Sequence, residues 1–134
     1  MTIFESIVHI ECPVNEVYHF LSDLNNHHEL MPPNIQDWRS TADEAFFSIQ
    51  NMAKLRLIIE KRVENAEISI VAADEPPFTV SFKWMLAQES EYTSVSYTIS
   101  AELNMMMKML ASGPLQKLAD HETQSLLELL SLSK

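Results

Sequence analysis

Glycine is almost missing from this chain of 134 residues, in which Gly113 stands alone. An average glycine content of about 7 % would give roughly nine. Dinucleotide-binding GxGxxG turns, P-loops and the GxSxG elbow of serine hydrolases all need glycines at fixed positions. The sequence therefore excludes these sites, and tight turns must use Asn, Asp and Pro, as in ENAE at 64–67 and DEPP at 74–77.

Cysteine is equally scarce, because Cys12 is the single one and cannot form an internal disulfide. The N-terminal stretch MTIFESIVHIE has neither the basic start nor the unbroken apolar run of a secretion signal. From these two features we expect a reducing, cytoplasmic location.

Positive charge is also in short supply, with nine Lys and Arg against nineteen Asp and Glu and a net charge of -10. Such a surface repels phosphate backbones and anionic membranes, so we expect no nucleic-acid partner. No apolar run approaches the roughly 20 residues that cross a bilayer, so we expect no membrane span. The length is typical of one domain, which we expect to comprise residues 1–134.

The spacing of apolar residues predicts seven strands and three helices. Residues 3–12 alternate as a half-buried strand, and Pro13 suits the first turn of a helix over 14–24. A short second helix over 25–33 is closed by a double proline. Further strands are predicted at 35–40, 45–52, 55–63, 68–73, 78–86 and 93–103, spaced as an antiparallel meander.

The last two strands and the C-terminal helix predict the core. The strands alternate between apolar and polar residues, which places on their inner faces Phe82, Trp84, Tyr97 and Ile99. A helix from Gly113 and Pro114 to about Leu132 carries an apolar stripe that includes Leu118. The preceding NMMMKML is out of phase with this stripe, so we expect a break at Gly113 and Pro114.

Glu122 lies in the middle of this stripe, about 20° from Leu115 around the helix. Two interpretations remain open. A buried carboxyl would favour its neutral form and serve as acid, base or ligand anchor. Alternatively, the stripe crosses an opening at this turn, and Glu122 is solvated or paired with a sheet lysine such as Lys61.

The order of elements resembles the START-like superfamily, or SRPBCC, which groups polyketide cyclases, pollen-allergen relatives and lipid-transfer domains. The resemblance covers essentially the whole chain. It is strongest in IECPVNEVYHFLSDLNNHHELMP, where a proline-started helix leads through Leu-Ser-Asp-Leu into a short helix closed by proline. It implies an α+β helix-grip fold, with two short helices after the first strand and a curved antiparallel sheet wrapped around the long C-terminal helix. The cavity between sheet and helix would hold an apolar or amphipathic small molecule.

The adjacent histidines in NHHELMPP point about 100° apart on a helix, so they cannot bind one metal as an i, i+4 pair would. No CxxC, HxH or HExxH spacing is present. We therefore predict no metal site and interpret His27 and His28 as a polar corner at the mouth of the cavity.

Our first hypothesis is a binding protein without catalytic residues, cofactor or metal. The resemblance and the inner faces together predict the ligand-binding residues Phe82, Trp84, Tyr97, Ile99 and Leu118, with Glu122 as polar anchor. A second hypothesis is an enzyme similar to polyketide cyclases and aromatases, in which Tyr97 and Glu122 perform acid and base work. A third is a protein-interaction module resembling chaperone activators, acting through the outer sheet. The sequence does not predict the oligomeric state.

Overall fold

The computed structural model describes residues 1–50, 53–74, 76 and 78–132. Strand β1 and helix α1 are followed by a 3-10 helix, six more strands and the long helix α2. Their bounds are β1 Thr2–Ile10, α1 Val14–Leu21, the 3-10 helix Leu24–Leu30, β2 Ile35–Ser40, β3 Glu44–Ile49, β4 Ala53–Val63, β5 Glu67–Ala73, β6 Val80–Gln88, β7 Thr93–Ala101 and α2 Met105–Leu132.

The strands form one antiparallel sheet of seven strands in the order β1-β7-β6-β5-β4-β3-β2. Consecutive strands pair as hairpins from β2 to β7, and β1 joins the sheet beside β7. The sheet is curved, and α2 packs across its concave side with α1 and the 3-10 helix. The predicted α+β helix-grip architecture is confirmed.

The strands follow their apolar alternation closely. Every second residue of β7 is buried, from Thr93 to Ala101, and the same holds in β6 up to Leu86. The register places Trp84 opposite Tyr97, so both side chains stand on the concave face. Residues 51 and 52 of the predicted third strand lie outside the described residues.

The turns show how a chain with one glycine bends. Asn65 and Asp74 have φ near +58° and +56°, and Asp37 has a φ of 58° where the pairing of β2 with β3 shifts register. Asn and Asp tolerate this left-handed conformation better than other residues with a side chain. Two residues of the predicted turn at 74–77, Glu75 and Pro77, lie outside the described residues.

Helix α1 ends at Leu21, three residues before its predicted end. The reason is Asp23, whose side chain accepts a hydrogen bond of 2.9 Å from Asn25 N and caps a separate 3-10 helix. Leu24, His27 and Leu30 are its buried residues, one on each turn. Their spacing of three is the period of a 3-10 helix, whose side chains at i and i+3 align.

The predicted break in the C-terminal helix is wrong, because α2 runs without interruption from Met105 to Leu132 with Pro114 inside it. The helix begins early because Asn104 Oδ1 accepts a hydrogen bond of 2.8 Å from Met107 N, as an N-cap residue does. The first turns of α2 extend beyond the core, so their apolar face need not align with the apolar stripe of the turns that follow Gly113. Four large apolar side chains there are 63 % to 83 % exposed: Met105, Met106, Met109 and Leu110.

Candidate functional site

Glu122 on α2 and Tyr97 on β7 form a buried polar pair. The Tyr97 hydroxyl donates a hydrogen bond of 2.6 Å to Glu122 Oε2. Tyr97 is 2 % exposed and Glu122 is 1 % exposed. One residue further along α2, Thr123 shares a hydrogen bond of 2.6 Å with Ser6 of β1. This contact holds that turn of α2 against the sheet.

The interpretation of Glu122 as a buried carboxyl is therefore confirmed, and the alternative of a solvated or lysine-paired carboxyl is wrong. The stripe of α2 meets the sheet at this turn, whereas Lys61 is exposed. Sequence periodicity places Glu122 on the correct side of the helix. Whether sheet or solvent lies opposite that side depends on the tertiary packing.

Burial shifts the ionisation of both partners. Loss of hydration raises the pKa of Glu122 from 4.5 to about 8, although the hydrogen bond from Tyr97 opposes part of this shift. Burial and the neighbouring carboxyl raise the pKa of Tyr97 well above its ordinary value. Near neutral pH the pair thus consists of a carboxylic acid and a phenol, both predominantly uncharged.

The space beside this pair is small. Its volume is about 10 Å³, close to the minimum of ~10 to 15 Å³ that admits one water molecule. Long and aromatic side chains occupy most of the room between sheet and helix. We call it the interior space, and its lining residues are Leu24, His27, Met31, Trp38, Phe47, Leu57, Ile70, Phe82, Tyr97, Leu118 and Glu122.

Four of the six predicted ligand-binding residues line the interior space: Phe82, Tyr97, Leu118 and Glu122. Trp84 and Ile99 are fully buried but do not line it. Trp84 stacks on Tyr97 with ring centroids 3.8 Å apart. The structure thus brings five of the predicted residues into one cluster around Tyr97, with Ile99 opposite Phe82 in the sheet register.

Sequence reasoning missed the other seven lining residues. The strand residues among them, such as Phe47 and Leu57, lie on predicted strands whose alternation already indicates buried positions. The residues of the 3-10 helix are detectable from the spacing of three between Leu24, His27 and Leu30. A search of the sequence for the α-helical period of 3.6 residues does not detect this spacing.

The predicted polar corner is wrong for His27. This residue is buried, and its Nε2 lies 2.8 Å from the Leu21 carbonyl oxygen, which can only accept a hydrogen bond. Nε2 therefore carries the proton, and burial lowers the pKa of His27 from 6.5 to about 4. His28 is exposed and stacks on Trp38 with ring centroids 5.7 Å apart.

A larger groove opens on the other side of Leu118. Its volume is about 550 Å³, and it lies between the segment after the 3-10 helix and α2. His121 supports this edge, because its Nδ1 lies 3.0 Å from the Leu30 carbonyl oxygen. Leu118 lines both the groove and the interior space. The groove residues are Pro32, Asn34, Pro114, Lys117, Leu118, Asp120 and His121.

The described part of the chain lacks two kinds of feature. No group of three or more His, Cys, Asp or Glu residues there is arranged to hold a metal ion. Nor does any helix of those residues combine the length and apolar character needed to cross a membrane.

Comparison with known proteins places the chain by its fold. Neither a protein-family profile nor a curated protein sequence matches it. Among solved structures, TTHA0849 from Thermus thermophilus is 22 % identical, with a TM-score of 0.68 over 97 % of this chain and 94 % of that chain. A START superfamily protein from Mycobacterium smegmatis is 12 % identical, with a TM-score of 0.72 over 98 % and 99 %. The Aha1 dimer from Colwellia psychrerythraea is 14 % identical, with a TM-score of 0.70 over 100 % and 99 %. This chain has the START-like (SRPBCC) fold.

Proposed function

We propose that this protein binds a small, largely apolar molecule between its sheet and α2. The buried pair of Glu122 and Tyr97 carries the proposal. Burying a carboxyl group costs free energy even when it is hydrogen-bonded, and an apolar side chain at 122 would continue the stripe of α2 without that cost. Polar groups that converge within an apolar lining are typical of sites that orient a ligand.

The groove supplies the room that the interior space lacks. Ligand pockets commonly measure ~300 to 1,000 Å³, and the groove of about 550 Å³ falls in this range. Leu118 separates the groove from the polar pair. In the proposed complex the body of the ligand occupies the groove, the side chain of Leu118 moves aside, and one end of the ligand reaches Glu122. Met31 lines the interior space on the side of the 3-10 helix, and its flexible side chain adapts to the ligand.

Native mass spectrometry of freshly purified full-length protein tests this proposal directly. We expect a small-molecule adduct, which denaturing extraction then identifies. Leu118→Trp blocks the passage and should remove the adduct. Leu110→Trp is the matched control, because Leu110 is exposed on the same helix and outside the groove. An adduct that survives Leu118→Trp unchanged would contradict binding at this site.

The geometry favours binding over catalysis. Acid and base work on a polyketone by Tyr97 and Glu122 requires a substrate-sized cavity around both groups, whereas the space beside them measures about 10 Å³. A phenol whose pKa is raised by burial is also a weak general acid near neutral pH. We further propose a cytoplasmic location, in keeping with a single cysteine whose buried thiol donates to Glu16 Oε2 at 3.0 Å.

A second candidate function is protein interaction, with a second copy of this chain as partner. The first turns of α2 expose Met105, Met106, Met109 and Leu110, which we call the methionine surface. Residues 103–119 contain two lysines and no acidic residue, so this segment carries none of the acidic groups that make the chain as a whole negative. The similar structure from Colwellia psychrerythraea is described as a dimer. The outer sheet, which the third hypothesis invoked, exposes Ile3, Ile7 and Met85, and the polar Ser96 lies between Ile7 and Met85 in the sheet register.

Light scattering coupled to gel filtration tests self-association. We expect a dimer mass at high protein concentration, and a monomer after Met106→Glu combined with Met109→Glu. Gln124→Glu adds negative charge at an exposed position further along α2 and should leave the dimer intact. A monomer mass for the unmodified chain at all concentrations would eliminate this candidate.

A further inference from the structure

Lys117 brings a positive charge to the groove between the 3-10 helix and α2. Lys117 lines the groove together with His121, which follows four residues later on the same face of α2. The ion pairs among the residues that the structure describes involve Arg56 and Arg62, so Lys117 forms none there. Nor does its ammonium group hydrogen-bond to a described residue. Its three donors are therefore open to a bound molecule.

The backbone of the 3-10 helix orients the ring of His121. Its Nδ1 lies 3.0 Å from the Leu30 carbonyl oxygen, which can only accept a hydrogen bond, so Nδ1 carries a proton. Ser125 Oγ lies 3.3 Å from the same nitrogen. Of the two ring nitrogens, Nε2 is therefore the one left for a ligand. Protonation at Nε2 turns the ring into a second donor and a second cation beside Lys117.

The opposite wall of the groove supplies a neutral donor. Asn34 follows the 3-10 helix, lines the groove and is half-buried. Its backbone carbonyl accepts a hydrogen bond of 2.8 Å from Gln50 N, whereas its side-chain amide has no hydrogen bond to a described residue. The amide nitrogen carries two N–H donors. A head group between the two walls would thus meet the charge of Lys117 on one side and these donors on the other.

One acidic residue shares the groove with these donors. Asp120 Oδ1 accepts a hydrogen bond of 3.1 Å from Gln116 Nε2, and the same nitrogen donates to the Glu5 carbonyl oxygen of β1 at 3.2 Å. Gln116 thus ties Asp120 to β1, whereas the neighbouring His121 is tied to the 3-10 helix. The carboxylate of Asp120 already has a donor within the protein, whereas the ammonium group of Lys117 has no acceptor among the described residues.

The interior space is unsuited to the charged end of a ligand. None of its eleven lining residues is Lys or Arg. Burial lowers the pKa of His27 to about 4, so its ring is neutral near pH 7, and its Nε2–H donates to the Leu21 carbonyl. An anion buried there beside Glu122 would lack a counter-charge and would be strongly destabilised. A charged head therefore stays in the groove, and the uncharged end of the ligand points toward Leu118.

We propose that the groove binds an amphiphile with a single negative charge, such as a carboxylate, whose head group pairs with Lys117 and whose apolar chain lies on Leu118. This inference rests on the proposed binding function and names the ligand class. Asn34 and His121 donate hydrogen bonds to the head group. Lys117 is the only Lys or Arg among the seven described lining residues, so it balances one negative charge rather than two. A cationic amphiphile would instead meet Asp120 and be repelled by Lys117.

Calorimetry of the full-length protein at pH 7 tests this assignment with octanoate, 1-octanol and octylammonium. The three probes share chain length and differ in the charge of the head group. We expect octanoate to bind about three- to tenfold more tightly than 1-octanol, as an ion pair with added hydrogen bonds at a partly exposed site would give. Octylammonium should bind most weakly.

Three variants at exposed positions of α2 locate the charge that is recognised. Lys117→Gln should abolish the advantage of octanoate over 1-octanol and leave the affinity for 1-octanol within about twofold. Lys108→Gln is the matched control, because it makes the same change in net charge outside the groove and should preserve the advantage. Asp120→Asn removes a like charge and should tighten octanoate binding by about two- to fivefold.

The outcomes separate the inference from the proposed function. If 1-octanol binds and octanoate binds no more tightly, the inference is overturned and the binding function stands. Equal effects of Lys117→Gln and Lys108→Gln would also overturn it, because the recognised charge would then not be that of the groove. Octylammonium binding more tightly than octanoate would assign the groove to cations through Asp120, with the same consequence. If none of the three probes binds, both the inference and the proposed function fail.

Discussion

The hydroxyl of Tyr97 donates a hydrogen bond of 2.6 Å to Glu122 in a part of the core where neither residue is more than 2 % exposed. The bond joins the last strand to the last helix across the concave face of the sheet. Burial of the Glu122 carboxyl group, which this bond only partly offsets, makes the stability of the fold depend on pH in a direction that ordinary carboxyl groups do not show.

The free energy of unfolding should fall as pH rises from about 6.5 to 8. The pKa of Glu122 is about 8 in the folded protein and near 4.5 when exposed, so across this range the folded state holds a proton that the unfolded state has lost. The slope should approach ~1.4 kcal/mol per pH unit. Urea denaturation at several pH values measures it. Glu122→Gln should remove the slope, and Glu128→Gln, at an exposed position of the same helix, should preserve it.

His27 should produce the opposite trend at lower pH. The pKa of His27 is about 4 when folded and near 6.5 when exposed, so the unfolded state binds the extra proton in this range and stability rises with pH. Between about 4.5 and 6.5 the contributions of Glu122 and His27 oppose each other. We expect Glu122→Gln to steepen the rise in stability across that range. A stability that does not rise with pH in this variant would show that His27 is not buried in its neutral form, and a profile unchanged from that of the unmodified protein would show that Glu122 does not oppose it.

Tyr97→Phe should destabilise the protein by about 1 to 3 kcal/mol, because it leaves a buried carboxyl oxygen without its donor. It should also raise the pKa of Glu122 further, since the hydrogen bond from Tyr97 lowers that pKa. Urea denaturation and NMR titration of the carboxyl carbon check the two effects. In combination with Glu122→Gln the destabilisation should be smaller than the sum of the single changes, whereas Tyr18→Phe with Glu122→Gln should be additive.

Leu118→Ala should connect the groove with the interior space. Both Leu118→Ala and the control Leu126→Ala remove a buried side chain from α2 and should cost about 2 to 5 kcal/mol. Leu118 alone of the two lines the groove. We therefore expect Leu118→Ala to bind 1-octanol more tightly and Leu126→Ala to bind it as the unmodified protein does, measured by calorimetry. Equal affinities in all three proteins would argue against a passage at Leu118.

Gly113→Ala should stabilise the protein by about 0.5 to 1 kcal/mol, because alanine loses less backbone entropy than glycine in a helix. Apart from the two chain neighbours and the backbone of α2 itself, a Cβ atom at position 113 would have no heavy atom within 4 Å, and the backbone there is not left-handed. Thermal or urea denaturation measures the change. Destabilisation would instead indicate that the new Cβ atom is crowded by the ring of Pro114, because a proline disfavours the helical conformation of the residue before it.

Much of the fold could be predicted because apolar and polar residues alternate so regularly along the strands. Strand β2 has the predicted bounds, and β5 begins one residue early. The prediction of a break at Gly113 and Pro114 was wrong because it assumed that the residues before and after them pack on the same core. On that assumption, apolar faces that point in different directions would require two separate helices. The methionine surface lies outside that core, so no packing constraint enforces a common phase. Asn104 was the local signal for the earlier start of α2.

The candidate site was predictable in part. Helical periodicity placed Glu122 among the buried leucines, and strand alternation placed Tyr97 on the inner face, but neither pattern contains the distance between them. That distance depends on how α2 docks on β1 and β7, through contacts such as the hydrogen bond between Ser6 and Thr123. Trp84 illustrates the same limit, because its burial follows from alternation, while the lack of an acceptor for its indole N–H among the described residues depends on its neighbours.

The sequence by itself determined the strands, their buried faces and the classes of site that a chain with one glycine cannot form, because these depend on residues close together along the chain. Only the tertiary structure decided that Glu122 and His27 are buried, that the interior space measures about 10 Å³, and that Leu118 separates it from a larger groove. Those properties arise from packing between residues far apart in sequence, where side-chain volume and exclusion of water set both the pKa values and the space left for a ligand.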